Sequence, residues 1–282
     1  MSGPLPGGGG PIAPAGGRRI VTGFSNPTVK ALRALRDKKH RRRDGRFLAE
    51  GLRLLTDARN GGHVPQTLVM AQGRDPHPLV APLETAVLQA GGEVLETTPD
   101  ILSKITGKDN PQALVGVFAQ WDTGLARLDR GGAPIWLVAQ ALRDPGNLGT
   151  MLRTGDAIGA GGLILLDDCA DPFSAEAVRA SMGAVFTQRI ARARWDEFVP
   201  WLRGGKGQLV AASLRDAVPY RGAPYEAPCF AMVGNESQGL PEAYEAECDL
   251  RVTMPMRGSA DSLNAAVAAA VLGYEVLATL EA

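Results

Sequence analysis

The strongest constraint on the fold is an alternation in the second half of the chain. Short apolar runs occur at Ile135–Ala139, Leu163–Leu166, Leu209–Ala212, Phe230–Val233 and Arg251–Met254. Between and after them lie helical patterns near Leu148–Ile158, Ala175–Ala184, Trp195–Leu202 and Ser262–Leu280. Strand–helix alternation builds a mainly parallel sheet with helices on both faces. Ligands of such sheets bind at the carboxyl ends of the strands. The expected fold class is therefore α/β.

The first part of the chain reads as a smaller α/β unit. Thr28–Lys39 reads as a basic helix with Val29, Leu32 and Leu35 on its apolar side, and Arg46–Leu55 as a short strand running into a helix. Thr67–Met70 and Leu114–Phe118 read as strands and Leu79–Ala90 as a helix. The expected division is a Pro/Gly-rich disordered tail over 1–19, a first domain over 20–120, a linker over 121–133 and a second domain over 134–282. The tail lacks the basic and long apolar regions of a signal peptide, and no apolar run is long enough for a bilayer.

Charge is balanced overall, with 30 Lys+Arg against 30 Asp+Glu, so only its distribution is informative. Lys30 to Arg46 holds nine basic residues and two acids. So local an excess suits an anionic partner, and Lys38, Lys39, Arg41, Arg42 and Arg43 are the expected phosphate contacts. The three cysteines, Cys169, Cys229 and Cys248, show no C-x-x-C spacing, which argues against a disulfide framework or a zinc site and fits a reducing cytoplasm. No metal site is expected.

Three segments carry candidate chemistry. Ala141–Thr154 (ALRDPGNLGTMLRT) ends a strand, turns at Asp-Pro-Gly, and places Asn147 where a helix N-cap would stand, with Arg153 projecting from the helix. An amide and a guanidinium at a strand's carboxyl end suit a phosphate or ribose. Read alone, the segment is equally an ordinary strand–turn–helix with a solvated arginine. Phe230–Pro241 (FAMVGNESQGLP) runs an apolar strand into a polar loop, where Gly234 permits close backbone approach and Glu236 puts a carboxylate at the strand tip. Val252–Asn264 (VTMPMRGSADSLN) offers Met254, Met256 and Leu263 as an apolar wall, with Asp261 or Ser262 as a cap for the following Ala-rich helix.

Taken together and in order, D-P-G-N-L-G-T-x-x-R-T, V-G-N-E-S-Q-G-L and M-P-M-x-G-x-x-x-S-L-N resemble the three signature motifs of SpoU (TrmH) methyltransferases. The basic helix and R-F-L-A-E-G-L-R-L-L resemble that family's N-terminal substrate-binding domain. The resemblance implies a SPOUT-type parallel sheet with a deep trefoil knot, preceded by a small α/β RNA-binding domain. It implies S-adenosylmethionine as cofactor, held by Gly234, Asn235, Met254, Met256 and Leu263. It implies methyl transfer to a ribose 2′-hydroxyl, with Arg153, Asn147, Glu236, Ser262 and Asn264 as the catalytic set, and a homodimer whose active site lies at the subunit interface. Structured RNA is the expected substrate, ribosomal RNA being favoured over transfer RNA. Three alternatives stay open at this point: an RNA-binding assembly factor without catalysis, a nucleotide-dependent enzyme on a doubly wound fold, and a methyltransferase acting on a base.

Overall fold

The computed structural model describes residues 16–75 and 77–282. Of the tail expected over 1–19, residues 1–15 lie outside the described residues, and Gly17–Val21 forms strand β1. It pairs in parallel with β4 (Glu93–Thr97), which in turn pairs with β3 (Thr67–Ala71). β5 (Leu114–Ala119) and β2 (Arg46–Glu50) complete the sheet antiparallel, in the order β1-β4-β3-β5-β2. Helices α1 (Pro27–Ala34), α2 (Lys38–Asp44), α3 (Leu52–Asn60), α4 (Val80–Gln89) and α5 (Pro99–Thr106) connect these strands.

The single basic helix expected over Thr28–Lys39 is two helices. Asp37 accepts a hydrogen bond from the Lys39 N–H at 2.7 Å and so starts a new helix as its N-cap. The Arg41–Arg43 run consequently belongs to α2, not to a tail beyond one long helix.

The second sheet has seven strands: β6 (Ile135–Gln140), β7 (Leu163–Leu166), β8 (Ile190–Ala193), β9 (Gln208–Ala212), β10 (Val218–Pro219), β11 (Cys229–Val233) and β12 (Leu250–Thr253). They lie in the order β10-β12-β9-β11-β6-β7-β8, and every pairing is parallel. All six β6 residues are buried, as a central strand covered on both faces requires. Around it pack α6 (Pro145–Ala157), α7 (Ala175–Ala180), α8 (Ala184–Thr187), α9 (Trp195–Arg203), α10 (Glu242–Ala246) and α11 (Ala265–Leu280). The helix expected over Ala175–Ala184 is broken by positive φ at Met182 and Gly183. Gly149 lets α6 lie against α7, because a Cβ there would meet the Ala177 carbonyl at 2.5 Å.

One hydrophobic cluster runs through both sheets. Phe47 and Phe118 of the first sheet meet Phe173, just before α7, and Phe186 of α8, at ring separations of 5.0 Å for Phe47–Phe173 and 4.8 Å for Phe118–Phe186. Trp121, at the start of the expected linker, packs edge-on against Phe173 at 4.9 Å. The next residues join the sheet margin, where the Arg192 N–H donates to the Thr123 carbonyl at 2.7 Å.

Candidate active site

The site forms where β6, β11 and β12 end. Ala141 follows β6 with a φ of 48°, a left-handed conformation that turns the chain sharply. Asp144 then caps α6, accepting from the Asn147 N–H at 2.6 Å, and Pro145 takes the first helical position. Asn147, expected as the cap, is therefore the third helical residue, and its side chain is free for other contacts.

Those contacts join the three segments. Asn147 Nδ2 donates to Glu236 Oε1 at 3.1 Å, and Asn147 Oδ1 accepts from Asn264 Nδ2 at 2.8 Å. Asn264 Oδ1 accepts from the Ala266 and Val267 N–H groups at 2.9 and 3.3 Å. Asn264, rather than the expected Asp261 or Ser262, is thus the N-cap of α11. Glu236 also accepts from the backbone N–H groups of Arg143 and Asp144 at 3.5 and 3.4 Å. Burial pushes the Glu236 carboxyl up. Hydrogen bonds from its own backbone N–H, from Asn147 and from Arg143 and Asp144 outweigh that and hold it below the usual carboxylate value.

The loop after β11 closes on itself. Asn235 and Gly239 exchange two backbone hydrogen bonds, of 3.2 and 2.9 Å, and Asn235 Nδ2 donates to the Ala141 carbonyl at 2.8 Å. A Cβ on Gly234 would meet the Gly239 backbone at 2.4 Å. The close approach that this glycine permits is therefore to its own loop.

Beside this loop opens a cleft of about 390 Å³. Gly234, Asn235, Met254, Met256 and Leu263 all line it, as do Glu236 and Ser262, so the expected cofactor residues are gathered in one place. Asn147 and Asn264 brace its margin from outside the lining. Arg153 stands apart: it is exposed on α6 and makes no hydrogen bond or ion pair with the described residues. It lies roughly 9 Å along the helix from Asn147 and about 120° around it. The sequence reading missed Ser213, Arg215 and Glu245, which also line the cleft. Buried Glu245 accepts from Ser213 Oγ at 2.6 Å and Arg215 Nη1 at 3.0 Å. Their signal was position, since Ser213 directly follows β9 at its carboxyl end.

Of the expected RNA contacts, Lys39, Arg42 and Arg43 are exposed and Lys38 is half-buried. Arg43 pairs with its neighbour Asp44 at 2.7 Å. Arg41 is corrected: it is buried, and both Nε and Nη2 donate to Asp171 Oδ2, at 2.9 and 2.7 Å. It cannot reach a phosphate. Among the described residues no group of three or more His, Cys, Asp or Glu is placed to hold a metal, and no helix is long and apolar enough to cross a membrane.

Residues 134–274 match the model of the SpoU rRNA Methylase family. The chain belongs to that family. Residues 26–116 match an MRM3-like substrate binding domain, so both parts of this SpoU chain have counterparts. The 23S rRNA (guanosine(2553)-2′-O)-methyltransferase RlmP of Bacillus subtilis is 32% identical over 257 residues, spanning 91% of this chain and 98% of its own. An AdoMet-bound rRNA methyltransferase from Sinorhizobium meliloti is 40% identical, with a TM-score of 0.87, over 93% of this chain and 98% of its own. The SpoU methyltransferase AviRb from Streptomyces viridochromogenes, in complex with AdoMet, is 27% identical with a TM-score of 0.81, over 91% of this chain and 99% of its own. The motifs of this SpoU chain thus sit on the parallel sheet of a SPOUT-type α/β fold.

Proposed function

We propose that this chain transfers a methyl group from S-adenosylmethionine to a ribose 2′-hydroxyl of ribosomal RNA, with transfer RNA the less favoured substrate. The observation that carries the reading is the Asn264–Asn147–Glu236 chain of hydrogen bonds, which draws three distant segments to the margin of one cleft. The cleft suits the cofactor. Its volume falls in the range of small-molecule sites. Met254, Met256 and Leu263 offer apolar faces to an adenine and to the carbons beside a sulfonium, and the Gly234–Gly239 backbone offers polar groups. The relatives named for rRNA 2′-O-methylation, and those solved with AdoMet, support the same assignment.

The cofactor supplies a methyl group already activated on sulfur. What remains for the protein is to orient the ribose and stabilise charge as its hydroxyl loses a proton. Arg153 is assigned to grip the target phosphate and stabilise the developing alkoxide; a guanidinium stays protonated and so acts through charge and its planar fork. Asn147, Glu236, Ser262 and Asn264 are assigned to hold the loops and the ribose. Glu236, kept ionised, is an acceptor for a ribose hydroxyl.

The same reading extends to assembly. Arg153 lies outside the cleft of its own chain, and α11 exposes an apolar stripe with Val267 46% and Tyr274 53% exposed, next to Leu263 at 38%. A homodimer pairing these faces would cover the stripe and deliver Arg153 across the interface. A deep trefoil knot in the C-terminal part is supported by the chain's course. It leaves β12 near one sheet margin, lines the same cleft as the Gly234–Gly239 loop and returns to pack α11 on α6 and β11. The domain limits are proposed as 20–120, extended back to Gly17 by strand β1, and 134–282, joined by 121–133, and the site of action as the cytoplasm. The test is incubation of unmodified rRNA transcript with methyl-labelled cofactor, followed by digestion to nucleosides. Label in 2′-O-methylnucleosides supports the proposal; label on a base, or none with cofactor bound, overturns it.

A further inference from the structure

Helix α2 is docked by a charge. At seven residues it is too short to hold itself in water, and its one buried side chain is Arg41. That guanidinium donates twice to Asp171, and its Nη1 donates to the carbonyls of Leu35 and Arg36 at 3.0 and 2.7 Å, which end α1. Asp171 lies between β7 and α7, on the carboxyl edge of the second sheet. Its other oxygen accepts from the Phe173 N–H at 3.0 Å and faces Arg192 Nη2 at 3.7 Å. An apolar contact would dock a helix at less desolvation cost, but it would not fix direction. A planar fork on a carboxylate does.

The direction has a consequence at the surface. Lys38 and Arg42 stand four residues apart on α2 and so share one face. The Asp168 carboxyl is lowered first by its hydrogen bond from Arg143 and then by that residue's charge, with Lys38 and Arg42 adding to the field. The geometry agrees: α2 is pinned through Arg41 to Asp171, and Arg143 pairs with Asp168 three residues earlier on the same loop, so the basic face of α2 lies beside Arg143. Arg143 opens the turn into α6, and its N–H reaches Glu236. Arg41 and Arg192 face Asp171 while Arg143 pairs with Asp168, so the β7–α7 loop carries its two carboxylates between the cations of α2 and those of the second sheet.

We propose that Lys38, Arg42 and Arg143 form one phosphate-gripping surface that leads an RNA strand from α2 to the Glu236–Asn147 site. The buried Arg41–Asp171 fork, out of the RNA's reach, is the positioning element that makes this surface continuous. The inference rests on the proposed RNA substrate and deepens it.

The test measures binding of the full chain to unmodified 23S rRNA transcript as a function of salt. Lys38→Ala, Arg42→Ala and Arg143→Ala should each flatten the log–log slope by roughly 0.7 for a single-stranded contact. Asp171→Asn decides the positioning role, because charge and geometry predict opposite signs. Removing an acid near RNA should tighten binding if only charge counts. If the fork positions α2, binding weakens and the slope falls as far as in the Lys38→Ala/Arg42→Ala double variant, and adding Asp171→Asn to that double variant changes the slope no further. Tighter binding, or an unchanged slope, overturns the role of the fork. Unchanged slopes in the three alanine variants overturn the surface itself. Arg41→Met is the second variant should Asp171→Asn melt early, with the same fall in slope expected. Calorimetric titration with S-adenosylmethionine reports separately on the fold and on the proposed reaction. A chain that binds RNA with these slopes but never takes up the cofactor sinks the methyltransferase proposal and leaves the docking surface standing.

Discussion

Replacing Gly234 with alanine puts a methyl group where the structure has no room. The new Cβ would lie 2.4 Å from the Gly239 carbonyl carbon and 2.6 Å from the Gly239 oxygen and the Leu240 nitrogen. All three are backbone atoms, so no side chain can swing aside. Relief requires opening the Asn235–Gly239 bridge, which consists of two backbone hydrogen bonds. At a net value of about 0.5–1.5 kcal/mol each, the loss is about 1–3 kcal/mol. For a chain of this size that corresponds to a fall in Tm of roughly 2–12 °C. The same loop lines the cleft, so cofactor affinity should fall along with stability. Gly23→Ala is the control, since a Cβ there meets nothing within 4 Å. Thermal melts and calorimetric titration with S-adenosylmethionine on both variants check the reasoning. If Gly234→Ala melts and binds like the control, the loop does not depend on that close approach.

Arg153→Ala should leave Tm and cofactor affinity nearly unchanged, because the residue is exposed and unpaired among the described residues, yet methyl transfer should fall about 10²–10³-fold. Arg153→Lys should fail almost as badly at saturating RNA if the planar fork matters, and an active alanine variant removes Arg153 from the catalytic set. The Glu236 carboxyl is held low in the folded chain, so its stabilising contribution is present above the ordinary carboxylate pKa and disappears as pH falls through the lowered value. The Tm difference between wild type and Glu236→Gln should accordingly be positive near pH 6, begin to shrink as pH falls below about 4.3 and be gone only below the lowered value; a pH-independent difference contradicts the assignment. Asn264→Asp should keep the α11 cap but set a carboxylate against Asn147 Oδ1, so cofactor binding and transfer should fall further than helix content measured by circular dichroism. Burial pushes Cys169 up to about 11 and Cys229 and Cys248 up to about 12, so iodoacetamide at pH 8 should label the native chain negligibly and all three thiols after unfolding.

The parts of this molecule that were legible in its sequence are those decided within a few residues. Leu163–Leu166 is a strand as read, because a short apolar run between a glycine pair and two aspartates has little else to become. β1 was hidden because Gly-Arg-Arg-Ile-Val is a charged edge strand that forms only against β4, more than seventy residues on. The caps were misplaced for a different reason. Asp144 and Asn147 are both good N-caps, and so are Asp261, Ser262 and Asn264. Pro145 could have settled the first case, since proline favours the first helical position and so points to Asp144. Arg41 was the least legible residue. In Lys-Lys-His-Arg-Arg-Arg nothing local marks the one side chain that turns inward, and its partner lies 130 positions away.

The misplaced caps explain why the site carries amides where it does. An asparagine is a good cap through its oxygen alone, and an aspartate would serve equally well. Asn264 uses its oxygen on α11 and still has an N–H to give, which goes to Asn147. Asn147, relieved of capping by Asp144, accepts that hydrogen bond and donates its own to Glu236. Each amide passes on one hydrogen bond in the same direction, toward a carboxylate that can only accept. The relay tolerates neither a carboxylate in place of an amide nor an amide working as the α6 cap. Assigning the cap of α6 to Asp144 therefore does more than begin a helix. It frees the one side chain through which the first segment can bind the second and third, and so ties the margin of the cleft to the core of the sheet.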